Sequence, residues 1–167
     1  MKPFFVSANI VQRLAPRETP VPLDLYFITE ARKNDKQVIG LETLEEQIAI
    51  IDGLSYTAQA KMLVESLEDV DELKQQFNDL IEAYLTMNSK KVLELTEDPA
   101  MPAEFMEELL NKRNKIMVDR MIEHLHANST FVAVGAAHLF GNEGVVTLLK
   151  EKGYTVEPVS FTFESVE

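Results

Sequence analysis

A histidine that follows an apolar run is the first residue of this sequence suited to chemistry. Residues 130–134 carry no charge and are rich in β-branched and aromatic side chains, which is typical of a strand buried on both faces in a parallel sheet. The run stops at Gly135, a turn of small residues presents His138, and Asn142 is placed to cap a following helix. Open α/β sheets bind ligands just past such strand ends. His138 is therefore a candidate ligand or acid/base group, although a lone histidine also often caps or packs in a turn.

A glutamate occupies the same kind of position in a second stretch. Residues 38–41 form a short apolar run, Glu42 follows it, and Thr43 opens a helix with Glu46 three residues on. Thr43 and Glu46 make a capping box, which fixes the start of that helix beside Glu42. If the two strands are neighbours, Glu42 and His138 converge as an acid/base pair or as metal ligands.

A long helix is predicted to bring two further polar residues to the same place. Its predicted span runs from Pro102 to about His126, and Arg113 and Asn114 fall on its apolar stripe. Burying an unpaired cation costs several kcal/mol, so Arg113 must have a partner. Arg113 either closes a structural ion pair or points into the crevice of Glu42 and His138. The placement of Arg120, further along the helix, is left open.

These positions require an α/β fold with a small, mostly parallel sheet. We expect strands near residues 37–42, 130–135 and 154–163, packed with many helices and a helical insertion at 55–100. The chain of 167 residues is long enough for one domain with a real core, so a single domain over 1–167 is predicted.

Composition excludes several classes of function. The formal charge of -12 argues against a nucleic-acid partner, because phosphate binding needs a basic patch. The chain has no cysteine, so a metal site would use histidine and carboxylate. No apolar run approaches the roughly 18–20 residues of a membrane span, and the apolar stretch after Lys2 is too short and too polar for a signal peptide. The compartment is not fixed, and the parent protein could be cytoplasmic or exported.

Three stretches of the sequence resemble one family. They are G-L-E-T-L-E-E-Q from Gly40, N-K-R-N from Asn111, and F-V-A-V-G-A-A-H-L-F-G-N-E-G-V-V-T-L-L-K-E-K-G-Y-T-V-E-P-V from Phe131. Together they resemble the TraB/GumN family, which is related to the TIKI metalloproteases. Members carry two G-x-x-H motifs, and residues 135–138 match the second. The first is not found, so the chain resembles the larger C-terminal part of such a domain and is expected to be N-terminally incomplete.

The resemblance implies a metal-dependent hydrolase or peptidase-like domain acting on a peptide or small molecule. It implies that His138 is a metal ligand, that Glu42 is a ligand or the base for a metal-bound water, and that Arg113 with Asn114 stabilises developing charge. It also favours the crevice for Arg113. The metal would be Mn, Co or Zn. Because zinc-type hydrolysis uses about three protein ligands, this chain alone is expected to bind metal weakly and to be weakly active or inactive.

Two other functions remain open. The chain could be a non-catalytic module that binds or sequesters a peptide, since an incomplete sheet offers an unpaired edge for strand addition. The same edge makes a homodimer a reasonable expectation. Alternatively, the chain has no activity of its own.

Overall fold

The described part of the chain is predominantly helical. The structure, a computed structural model, describes residues 2–14, 21–68, 70–96 and 102–160. Its helices are α1 (Pro3–Leu14), α2 (Leu23–Lys33), α3 (Leu44–Asp52), α4 (Tyr56–Glu68), α5 (Val70–Leu85), α6 (Ser89–Thr96), α7 (Ala103–Met106), α8 (Arg113–Ala127), α9 (Ala136–Leu139) and α10 (Val145–Glu151), with a π-helical segment, Glu107–Lys112, between α7 and α8. None of the described helices is both long and apolar enough to cross a membrane.

Helices α1, α4, α5 and α6 pack on one another, and α6 also contacts α9. The buried side chain of Gln59 joins α1 to the turn before α4. Its Nε2 donates to the carbonyl of Leu54 at 2.9 Å, and its Oε1 accepts from the backbone N–H of Phe4 at 3.5 Å. The helices expected at 55–100 are thus present in the described residues of that range, and through α6 they adjoin α9, the short helix that contains His138.

The long helix agrees with its prediction except for its internal geometry. Pro102 precedes α7, and α8 ends at Ala127, one residue beyond the expected end. Between α7 and α8 the backbone is π-helical, a wider winding that is rare and is often found at functional sites. The π-helical segment ends immediately before Arg113 and Asn114, the first two residues of α8.

The core beneath the candidate site lies between α8 and α10. Met117, Val118 and Met121 of α8 are buried against Val145 of α10. Burial of such side chains stabilises the fold by about 1.5–3 kcal/mol each, as an upper estimate. Three side chains from the predicted strands also pack against this core, and they are Leu41, Val132 and Val134.

The predicted parallel sheet is wrong. In the described residues, the stretches near 37–42, 130–135 and 154–160 form no strand, and residues 161–163 lie outside the described part. The apolar pattern correctly marked residues that pack on α8 and α10, but a strand also needs ladder hydrogen bonds to a neighbour. None of the backbone hydrogen bonds of the described residues joins these three stretches. In its described part the protein is helical and lacks the sheet of an α/β fold.

Two local details also differ from the sequence analysis. The run 130–134 is not buried on both faces, since Val132 and Val134 are half-buried while Phe131 is 73% exposed. Helix α10 begins at Val145 with Gly144 at its N-cap, so Asn142 does not cap it.

Candidate functional site

Glu42 and Arg113 form a bidentate ion pair. The Nε and Nη2 atoms of Arg113 donate to Oε1 and Oε2 of Glu42, both at 2.7 Å. The side chain of Glu42 is only 9% exposed, and that of Arg113 is 17% exposed. Arg113 Nη1 also donates to the carbonyl of Leu109, which lies in the π-helical segment, at 3.0 Å. The guanidinium is therefore held on two sides, and the carboxylate of Glu42 has a fixed orientation.

His138 is hydrogen-bonded to Asn114, the residue that follows Arg113 in α8. Its Nδ1 lies 2.7 Å from Oδ1 of Asn114, and Asn114 Nδ2 donates to the backbone carbonyl of Glu143 at 2.8 Å. Asn114 is 2% exposed, and burial makes these hydrogen bonds costly to lose. One side chain of α8 thus connects the two sides of the turn between α9 and α10.

The turn between α9, which contains His138, and α10 is closely packed around Gly144. A Cβ at this position would lie 2.3 Å from the carbonyl oxygen of Phe140 and 2.7 Å from that of Leu139. Both neighbours are backbone atoms, so they cannot move aside without moving the turn. Gly141 has φ +92, a conformation that favours glycine. The backbone of the turn therefore constrains where the carbonyl of Glu143 lies.

Burial lowers the pKa of His138 from its ordinary value, and the nearby positive charge of Arg113 lowers it further. The carboxylate of Glu42 acts in the opposite direction but is the smallest of the three influences. Burial and the charge of Arg113 both favour the neutral form of the imidazole. A neutral imidazole can serve as a metal ligand or accept a proton.

A second pair, which the sequence analysis had not assigned, lies beside the first. Arg120 donates from Nη2 and Nη1 to Glu46 at 2.5 and 2.8 Å, and from Nη1 to the carbonyl of Leu41 at 2.7 Å. Glu46 also completes the predicted capping box with Thr43, which the structure confirms. The carboxylate of Glu46 and the carbonyl of Leu41 thus lie on either side of Glu42 in sequence and attach this segment to α8.

The candidate metal ligands can be compared with the donors that a metal would need. His138 fits, because its Nδ1 is engaged and its Nε2 is the remaining nitrogen. The carboxylate of Glu42 has about four lone-pair sites, of which Arg113 takes two. Among the described residues there is no cluster of three or more histidines, aspartates or glutamates around a common point. The donors thus suit a divalent metal in chemical type, and these two residues would be its ligands.

The predicted site residues are therefore brought together as two linked pairs. Consecutive residues of α8, Arg113 and Asn114, bind Glu42 and His138, which are 96 positions apart in the chain. Of the two alternatives for Arg113, the structure shows the ion pair, with Glu42 as its partner, and a crevice between Glu42 and His138 stays a prediction. His126 is not part of this arrangement, because it lies at the surface with its Nε2 2.8 Å from the hydroxyl of Tyr154. The missed contribution was the backbone carbonyl of Glu143, which has no signal in side-chain patterns.

Comparison with known proteins gives a family and a set of relatives. The family model described as the TraB/PrgY/gumN family matches residues 1–158. The chain is similar to a Metalloprotease TIKI homolog of Nematostella vectensis, at 29% identity over 86% of this chain and 36% of that protein. It is also similar to Metalloprotease TIKI2 of Danio rerio (28% identity, 84% of this chain, 33% of that protein) and Metalloprotease TIKI1 of Homo sapiens (29%, 84%, 34%). The chain spans about a third of the length of these curated relatives. No solved structure matches it.

Proposed function

We propose that this chain, which belongs to the TraB/PrgY/gumN family, supplies part of a metal-dependent, peptidase-like hydrolytic site. The names of its relatives support metal-dependent proteolysis. The observation that carries the proposal is the arrangement of Glu42 and His138 on the adjacent α8 residues Arg113 and Asn114. A peptide or a small molecule with a hydrolysable carbonyl is the substrate class that these groups suit.

Each residue has a defined role in this proposal. His138 would donate the lone pair of Nε2 to the metal, and Glu42 would act as a second ligand or as the base that accepts a proton from water. Arg113 has a second N–H on each of Nη1 and Nη2, beyond those bound to Glu42 and Leu109. These N–H groups would stabilise negative charge that develops on a carbonyl oxygen. When bound, the metal supplies Lewis acidity and a water of lowered pKa.

The charges of the two pairs predict weak metal binding by this chain. Glu42 carries a negative charge and Arg113 a positive one at 2.7 Å, while His138 is neutral, so the local sum is close to zero. A divalent cation gains little from a site without net negative charge, and hydrolytic zinc sites use about three protein ligands. We expect a third ligand from outside these four residues, weak binding by this chain alone, and no efficient hydrolysis.

Calorimetric titration with Mn²⁺, Co²⁺ or Zn²⁺ tests the ligand assignment. The chain carries 28 acidic residues, which will bind divalent ions weakly at the surface. Binding at His138 is therefore identified by comparing variants with the wild type. We expect His138→Ala to remove one weak site and His126→Ala, at the exposed imidazole beside Tyr154, to leave it unchanged. Metal binding that is indifferent to His138→Ala would contradict the ligand role. Tight binding by the wild type would contradict the two-ligand account.

A second candidate function, a module that binds a peptide without cleaving it, is favoured by a different observation. Phe131 and Val159 are 73% and 83% exposed, and they lie in stretches that pair with no strand in the described residues. Unpaired backbone beside exposed apolar side chains can bind an extended peptide or a second copy of the chain. Sedimentation at high concentration tests the second copy, because a strictly monomeric chain removes the support for a homodimer.

A further inference from the structure

We infer that Asn114 is a positioning residue that fixes the tautomer of His138, so that the lone pair available for chemistry is on Nε2. This inference deepens the proposed function and rests on it for its purpose, but the position of the proton can be measured without any metal. It changes the role of Asn114 from stabilising charge on the substrate to orienting the imidazole.

The direction of the carboxamide follows from its second contact. Asn114 Nδ2 lies 2.8 Å from the backbone carbonyl of Glu143, and a carbonyl only accepts, so the NH₂ group must face it. The Oδ1 atom then faces Nδ1 of His138 at 2.7 Å. Since Oδ1 has no hydrogen, Nδ1 must carry the proton of the neutral imidazole. Free imidazole side chains in water favour the opposite tautomer, so Asn114 has to impose this one.

The environment of Asn114 keeps this arrangement rigid. Asn114 is buried, and its partner Glu143 is joined through its own carboxylate to Lys115, the next residue on α8. Gly144, directly after Glu143, is also buried and packs against the backbone of residues 139–140. The carbonyl that orients Asn114 is consequently fixed by backbone contacts as well as by the ion pair.

Such hydrogen bonds have a known purpose at metal sites. A ligating histidine almost always donates its other ring N–H to a nearby acceptor, which orients the ring and makes the ligating nitrogen more basic. Loss of the acceptor typically costs about 10–100-fold in metal affinity. Asn114 therefore provides the acceptor, and Nε2 of His138 is the atom that would bind the metal.

Long-range ¹H–¹⁵N correlation spectra of the metal-free protein, recorded at a pH where the imidazole is neutral, read the tautomer directly. We expect a protonated Nδ1 and an unprotonated Nε2 for His138 in the wild type. Asn114→Asp, which keeps an acceptor oxygen, should preserve this tautomer, whereas Asn114→Leu should shift the ring toward Nε2–H. The signals of His126 serve as the internal reference for an intact fold.

The outcomes separate the inference from the proposed function. A wild-type His138 protonated on Nε2 overturns the inference whether or not Asn114→Leu folds. A wild-type Nδ1–H ring with no His138-dependent metal binding supports the inference and defeats the metal function. If the wild type shows both the Nδ1–H tautomer and His138-dependent metal binding, Co²⁺ affinity should fall about 10–100-fold in Asn114→Leu. An unchanged affinity would contradict the positioning role.

Discussion

Two carboxylate–guanidinium pairs join the same two parts of the chain, yet their surroundings differ. Glu42 and Arg113 are 9% and 17% exposed, whereas Glu46 and Arg120 are about 40% exposed. The carboxylates are four residues apart and the arginines seven. Glu46 of the exposed pair also forms the capping box with Thr43, and Arg120 attaches residues 41–46 to α8. The buried pair adjoins Asn114 and His138, and it is the pair to which the proposed function assigns the chemistry.

Removal of the buried guanidinium should have the largest effect. In Arg113→Ala the carboxylate of Glu42 stays buried without its partner, which typically costs about 3–5 kcal/mol of unfolding free energy. Arg120→Ala should cost clearly less, because solvent can replace the guanidinium on Glu46. Urea unfolding of both variants measures the difference.

A double variant controls for the loss of the side chain itself. Arg113→Met with Glu42→Leu replaces both charges by apolar groups and should recover much of the lost stability. Equal losses in Arg113→Ala and Arg120→Ala would show that the two pairs do not differ as described.

Loss of the helix cap should act on the exposed pair alone. Thr43 Oγ1 accepts from the backbone N–H of Glu46 at 3.2 Å, and Thr43→Ala should cost about 1 kcal/mol. The effect should be non-additive with Arg120→Ala, because both changes act on Glu46, and nearly additive with Arg113→Ala. Thr43→Ser keeps the hydroxyl and serves as the control. Strong coupling of Thr43 to Arg113 instead of Arg120 would contradict this division.

Acid should weaken the exposed pair within a defined pH range. The hydrogen bond from Arg120, and then that from the backbone of Thr43, lower the pKa of Glu46 from 4.5 to about 2. The unfolded chain therefore binds the proton first as the pH falls. The stabilisation is complete above pH 4.5 and is lost as the pH falls toward about 2.

Thermal unfolding of Glu46→Gln tests this range. The variant should be less stable than the wild type at neutral pH, and the two should converge as the pH approaches about 2. Glu45→Gln removes the same charge from an adjacent exposed position and corrects for net charge. Dilute samples are needed because the sequence pI is near 4.7. A difference between wild type and Glu46→Gln that stays constant with pH would rule out this linkage.

Salt should give the smallest effect. The Debye length falls to about 3 Å at 1 M salt, so the destabilisation caused by Arg120→Ala should shrink as salt increases. The destabilisation caused by Arg113→Ala should persist, since it arises from desolvation of Glu42. A similar salt dependence of the two variants would indicate similar exposure.

Local patterns predicted local structure well. The capping box of Thr43 and Glu46 and the long helix are confirmed, because helix starts and apolar periodicity depend on neighbouring residues. The need of Arg113 for a partner also followed from its place on the apolar stripe. Its identity as Glu42 could only be conjectured, because it depends on how distant segments pack.

The predictions that were wrong concern features that depend on how distant parts of the chain pack. The apolar run around Val132 and Val134 packs on α8 and α10, but its composition does not specify a pairing strand. The π-helical segment before Arg113 has no distinct residue pattern. The start of α10 at Val145 rather than near Asn142 reflects the backbone contacts of Gly144.

In the proposed function, Glu42 and His138 would face one divalent ion beside Arg113. Paramagnetic line broadening by substoichiometric Co²⁺ or Mn²⁺ tests this directly, because it reports the position of a weakly bound ion despite the many surface carboxylates. We expect broadening to begin at His138 and at the amides around Glu42 and Gly144, and we expect His138→Ala to abolish it there. Broadening that begins elsewhere, such as at the acidic residues Asp71 and Asp79 of α5, and that is unchanged in His138→Ala would contradict the proposed site.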